Sequence, residues 1–301
     1  MKTESPRKIR VLINPNSGSA SSFDAIQEEI ERGWDQPEQD ITYQFSRDAA
    51  DGQAKARRAV AEGVDTILVA GGDGMINSIG SELLSTDVAL GVIPTGSGNG
   101  FARHFNIPLN PAKAVQTLVN ARRQKIDVGV ANGRPFFVTC SMAWDAALVR
   151  TFEKFPIRGV LPYVFAGVYE YLGYDPQPLE AVLDDGETLR IPDPVVFTVA
   201  NLTQFGGGAR IAPTACPDDG YLEVIIMRQR DWPRLLANIN RLFDGTLDGL
   251  DEVMTRRCRK LTVRREKSAP LQMDGELCAA DRHIKVDILH RALTILAPAP
   301  P

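Results

Sequence analysis

The feature that most constrains this chain is a unit repeated along its first 126 residues: a short apolar run, a turn, then a segment with helical spacing. "KIRVLIN" leads through "NPNSGSAS" into "SFDAIQEEIERG", which Gly33 closes. "DITYQFS" leads into "DGQAKARRAVAEG". "DTILVA" leads through "GGDG" into a helical stretch ending at Leu84. "VALGVIP" leads through "TGSGNG" into "FARHF", and "PAKAVQTLVNARR" completes the series. Short continuous apolar runs bounded by turn residues read as strands. Strands that alternate with helices build βαβ units, and so a parallel sheet with helices on both faces. All strands of such a sheet end on one edge, where the turns that follow them converge.

Beyond Ile126 the pattern changes. "KIDVGVANGRPFFVTCS" reads as two strands joined by Asn-Gly, a hairpin pair. "PVVFTVANL", "YLEVIIM", "KLTVRR" and "HIKVDILH" follow, interrupted by one helical stretch, "DWPRLLANINRLFDG". The reading is an α/β domain over 1–126 and a mostly antiparallel β domain over 127–290. The last strand, in 291–301, is free to pair back with the first domain. A chain of 301 residues can bury a core in each. At 44% hydrophobic and 24% charged, it has the composition of a soluble globular protein. A net charge of −4 gives no argument for nucleic acid. Cys140, Cys216, Cys258 and Cys278 lie far apart and form no CxxC pair. They indicate neither a zinc site nor a disulfide framework, but reduced thiols in the cytoplasm. The first residues lack the charged and apolar regions of a signal peptide. No apolar run is long enough to span a bilayer.

Three glycine-bearing turns follow strands: residues 14–18 ("NPNSG"), 71–77 ("GGDGMIN") and 94–100 ("PTGSGNG"). Glycine lets backbone amides approach a ligand closely, and a following helix adds its positive end. Each turn alone reads more readily as a tight strand-to-helix connection; three on one edge reverse that preference and favour a phosphate site. There is no GxxxxGK[ST] and no GxGxxG after the first strand, so neither a Walker loop nor a Rossmann dinucleotide site is indicated. Asp73 would repel a bare phosphate. A hard divalent cation between carboxylate and phosphates removes that conflict, and this points to a magnesium nucleotide.

The series "INPNSG…VAGGDGMIN…VIPTGSGNGFARHF…KIDVG…DDGYLEV…MDGE" resembles the diacylglycerol kinase-type catalytic family of lipid kinases, in the pattern of its soluble bacterial members, and shares its core with the sphingosine and ceramide kinases. The resemblance runs from about Ile9 onward, and GGDG and PTGSGN are its most specific parts. It implies an α/β nucleotide-binding domain and a β-sandwich domain, with ATP and lipid meeting in the cleft. It also implies transfer of the ATP γ-phosphate to the hydroxyl of diacylglycerol or a related lipid.

Carried over by position, Asn14, Pro15, Asn16, Ser17 and Gly18, and Gly72, Gly74, Met75 and Asn77, line the ATP phosphates. Ser46 stands where the family has a nucleotide-contacting Thr, with Asp51 at the family's acidic position. Gly96 and Ser97 stand near the nucleotide. Asp73 acts through magnesium, and Glu276 matches the proposed general base. Asp219, with the carbonyls of Cys216 and Tyr221, matches a structural magnesium site, and Asp127 matches an acid near the active site. The family's usual residues are replaced at Ser19, Met75, Ser78 and Gly100. Two alternatives stay open: an NAD kinase-like phosphotransferase, which shares GGDG, and a non-catalytic nucleotide- or lipid-binding homologue. The expected partner is a lipid met at the surface of an anionic membrane. The aromatic-rich segment 160–174 and the cations Arg256, Arg257, Arg259, Lys260, Arg264, Arg265 and Lys267 are the candidate docking features. A homodimer is left open.

Overall fold

The computed structural model describes residues 7–17, 20–34, 39–144, 174–184 and 186–299. Gly18 and most of segment 160–174 lie outside them. The chain divides into two compact units, Met1–Ile126 with Arg291–Pro301, and Asp127–His290.

The first unit alternates β1 (Arg7–Ile13), α1 (Ala20–Trp34), β2 (Gln39–Phe45), α2 (Ala49–Ala61), β3 (Thr66–Gly71), α3 (Asp73–Ser81), β4 (Ala89–Pro94), α4 (Gly100–His104) and α5 (Pro111–Val119). The strands run parallel in the order β2-β1-β3-β4. Every residue of β3 and β4 is buried, as expected of inner strands covered on both faces. Val11, Leu12, Ile67 and Leu68 are fully enclosed, and each contributes about 1.5–3 kcal/mol through loss of apolar surface from water. Two helices begin on side-chain caps: Asp48 accepts from the Asp51 amide and Asn110 from the Lys113 amide. Gly33 does not close α1, which continues to Trp34. Val119 Cγ2 of α5 lies 2.7 Å from where a Gly33 Cβ would stand, so the glycine is there for a close helix contact.

The second unit is antiparallel. It comprises β5 (Arg122–Ala131, which starts in the first unit), β6 (Arg134–Phe136), β7 (Thr139–Ser141), β8 (Leu179–Leu183), β9 (Glu187–Ile191), β10 (Pro194–Ala200), β11 (Gln204–Gly206), β12 (Ala209–Arg210), β13 (Leu222–Arg228), α6 (Trp232–Ala237), α7 (Arg241–Asp244), β14 (Met254–Cys258), β15 (Lys260–Arg265), β16 (Leu271–Met273), β17 (Glu276–Cys278) and β18 (His283–Ala297). One sheet has the order β14-β13-β10-β7-β16-β17. Against it packs a second layer in which β15 pairs with β8 and with the start of β18. The two layers share one core, in which Phe136, Ala181, Val263 and Ile284 meet Phe197, Val224 and Leu271. This is a β-sandwich. Asn132 and Gly133, at φ 48° and 80°, make the β5–β6 turn that Asn-Gly predicts. The single helix expected over 231–245 is two short ones, because the chain turns at Asn238–Asn240 and the Asn238 side chain bonds back to the Arg234 carbonyl. The end of β18 lies beside β4, parallel, with Ile295 opposite Leu90.

Candidate active site

In the first unit the three turns meet. The Asn14 amide donates to the Ala70 carbonyl at 3.0 Å, which ties the end of β1 to the end of β3. The Asn14 side chain accepts from the Asn16 amide at 2.9 Å and shapes the first turn. The Ser17 and Thr95 hydroxyls share a hydrogen bond at 2.7 Å, which joins the first turn to the third. Gly72 and Gly96 meet backbone to backbone: a Cβ on Gly96 would lie 2.6 Å from Gly72 Cα. Only glycine permits that approach. Asn99, at φ 51°, accepts from the Gly96 amide and donates to the Gly96 carbonyl. Arg103 Nε reaches the Gly98 carbonyl at 3.2 Å. Ser97 stands exposed at the tip of this braced loop.

Gly72 is the N-cap of α3, and no side chain caps the helix. Its first amides are therefore available to an anion, at the end where the helix dipole is positive. Asp73 has a task that the sequence did not announce. Its Oδ2 accepts from the Gly100 amide at 2.9 Å and its Oδ1 from the Phe101 amide at 3.0 Å, so it caps α4 and fixes the second turn to the third. Burial pushes its pKa above the ordinary carboxylate value, while those amides pull it back. Met75 lies over Gly71, with Sδ 2.8 Å from a virtual Cβ there. Asn77 lies one turn further along α3. Pro15 and Asn16 are exposed in the first turn.

Ser46 is only 5% exposed, and its hydroxyl donates to the Asp48 carbonyl at 2.8 Å, packed over Gly52. Its proton is committed inside the chain, contrary to a hydroxyl turned out to nucleotide. Asp51 accepts from the Arg47 amide and from Lys55 Nζ at 2.7 Å, which hold its pKa down to about 2. His104 packs edge-on to Phe105, and burial lowers its pKa to about 4, so it is neutral at pH 7.

In the second unit, Glu276 follows a two-residue turn in which Asp274 and Gly275 have φ 48° and 90°. Asp274 holds that turn in place: its carboxylate accepts from the amides of Phe137, Val138 and Thr139 at 2.7–3.1 Å. The Glu276 side chain is exposed and makes no hydrogen bond or ion pair with the described residues. Asp127 is completely buried, accepts from the Gly220 amide and lies 2.8 Å from His290 Nδ1. Nothing in the charge pattern of these two separate segments signals the pair.

Asp219, the one carboxylate of the expected structural magnesium site, is held by the protein's own donors. Asp219 Oδ1 accepts from the Tyr221 amide, and its Oδ2 is paired with Arg257. Among the described residues no three His, Cys, Asp or Glu side chains form a metal cluster. The seven basic residues do not form one patch either. Arg256 pairs with Glu187, Arg257 pairs with Asp219 and Glu223, and Arg265 is 2% exposed and bonded to backbone carbonyls. Alternation along β15 sends Arg264 and Arg265 to opposite faces. No helix among the described residues is long and apolar enough to cross a membrane.

A parallel sheet whose strand-end loops are braced around uncapped helix amides, followed by a β-sandwich, defines a phosphotransferase-type chain. The model of the diacylglycerol kinase catalytic domain matches residues 8–131, and that of the YegS C-terminal NAD kinase beta sandwich-like domain matches residues 139–297. A diacylglycerol kinase of Mycobacterium tuberculosis is 31% identical over 264 residues, 85% of this chain and 84% of the relative. A protein of Chromohalobacter salexigens named "Probable lipid kinase YegS-like" is 28% identical over 258 residues, 83% of this chain and 82% of the relative. The crystal structure of a diacylglycerol kinase from Bacillus anthracis superposes with a TM-score of 0.73 at 19% identity, covering 98% of both chains. A second structure from that organism gives 0.79 at 21% identity, again over 98% of both. The chain belongs to the diacylglycerol kinase-type lipid kinase family.

Proposed function

We propose that this lipid kinase takes the γ-phosphate from magnesium ATP and transfers it to the hydroxyl of diacylglycerol or a closely related lipid. The observation that carries the reading is the junction of the three turns, where Gly72 and Gly96 meet backbone to backbone at the start of α3, whose first amides no described side chain caps. Amides so arranged suit the β- and γ-phosphates. Magnesium, when bound with the nucleotide, neutralises phosphate charge as it passes to the leaving group. Asp73 would offer that ion a single carboxylate, since backbone amides already take much of its acceptor capacity. Glu276 accepts the proton of the lipid hydroxyl, whose oxygen then forms the bond to phosphorus as the bond to ADP breaks. Its exposed side chain, without a partner among the described residues, and its place on a stapled hairpin support that role. The family's proteins named for diacylglycerol favour that acceptor over other alcohols. A peripheral contact with an anionic membrane belongs to the same proposal.

The test is labelled ATP with a panel of lipids in mixed micelles. Transfer to diacylglycerol is expected, and Glu276→Gln should lower kcat by at least about 100-fold, the usual scale for loss of a general base, with nucleotide affinity retained. Wild-type turnover in that variant sinks the base assignment. Nucleotide binding without transfer to any lipid favours a binding-only homologue.

A further inference from the structure

We infer that the 216–221 turn of this chain is a metal-free latch, in which the Arg257 guanidinium stands where the family resemblance expects a divalent cation. The argument starts from strand register. β13 and β14 pair so that Glu223 lies directly opposite Arg257. From there Arg257 reaches two carboxylates: its Nε lies 3.0 Å from Glu223 Oε1, and its Nη2 bonds Asp219 Oδ2. The other Asp219 oxygen is held by the Tyr221 amide at 3.0 Å. Both oxygens of the one acid offered to a metal are thus engaged by the protein's own donors.

The surroundings are cationic as well. Arg257 and Arg259 lie over the Tyr221 ring at 4.6 Å and 4.7 Å from its centroid, so two guanidinium groups stand at the end of this turn. A guanidinium is always charged and offers a planar fork of donors, so it can satisfy two carboxylates at once without a preorganised cage of oxygens. The neighbouring acids are engaged as well. Asp218 Oδ1 accepts from the Cys216 thiol at 3.4 Å, and buried Asp127 is bonded to the Gly220 amide and His290. The latch fixes Gly220, whose amide donates to Asp127, so Arg257 is a positioning residue for that buried acid.

The test reads stability, so it stands apart from the kinase reading. Nucleotide-free wild-type protein is melted in EDTA and in millimolar magnesium, beside Asp219→Asn. Wild-type Tm should differ by less than about 1 °C between the two conditions, whereas a ligand well above its Kd for the native state shifts Tm by several degrees. An equal magnesium shift in wild type and Asp219→Asn also supports the latch, since the ion then acts elsewhere. A rise in wild type that Asp219→Asn abolishes overturns it. A second arm in EDTA compares Arg257→Met, Asp219→Asn and the double variant. Non-additive losses of Tm are expected of directly coupled partners, and strictly additive losses overturn the pairing. If Arg257→Met does not fold, the magnesium arm decides alone.

Discussion

Asp73 carries the most instruction at the scale of the residue. In sequence it is an acid set among glycines, and a magnesium ion is the economical explanation for it. In the structure its carboxylate bonds two amides 27 and 28 residues away, and so welds two loops before any ligand arrives. The two roles predict different things. Asp73→Asn keeps one acceptor but turns an amide N–H toward a backbone N–H, leaving donors facing each other. It should cost about 1–3 kcal/mol of stability without nucleotide, seen as a lower Tm, in addition to any loss of turnover. An unchanged Tm with lost activity would mean that the carboxylate serves the metal alone. The sequence could not supply this pairing, since nothing local says which amides a loop acid will meet. Asn99 and Asp274 were illegible for the same reason: each fixes a turn through contacts that depend on the finished backbone.

Elements were far more legible. The parallel strands, the Asn-Gly hairpin and the antiparallel second half follow from period, turn residues and apolar runs, which are local quantities. The failures were local competitions won by tertiary contacts. Gly33 lies within α1 as the close contact with α5 and not as its end, and the helix expected over 231–245 breaks at Asn238, whose side chain bonds back to the Arg234 carbonyl. The β5–β6 hairpin shows how tight such fits are. Gly129 lies opposite Phe136, and a Cβ there would stand 2.1 Å from the ring's Cζ. Gly129→Ala should therefore cost about 1–3 kcal/mol from overpacking, measured by denaturant unfolding. Adding Phe136→Leu should return part of that loss. No recovery would place the strain in the backbone instead of the ring.

For the whole molecule, charge decides less than a count of basic residues suggests. The chain carries −4 overall, and three of the seven clustered cations are spent on carboxylates or buried. Arg259, Lys260, Arg264 and Lys267 remain exposed, each worth about 1 kcal/mol at most beside an anionic surface and screened within about 8 Å at physiological salt. Under the membrane proposal, vesicles rich in anionic lipid should retain the protein weakly at low salt and release it near physiological salt. Reversing those four charges should abolish retention; unchanged co-sedimentation would move the docking surface elsewhere. The final strand bears on a different matter, the order in which the molecule can be made. The flank of β4 is covered by residues that follow position 290, with the Ser85 amide bonded to the Ala292 carbonyl and Ile295 opposite Leu90. The matched catalytic-domain segment, 8–131, is therefore not a separable piece: a ribosome must release residues as far as 297 before the first sheet can close, and the nucleotide-binding half is finished only after the sandwich has been synthesised.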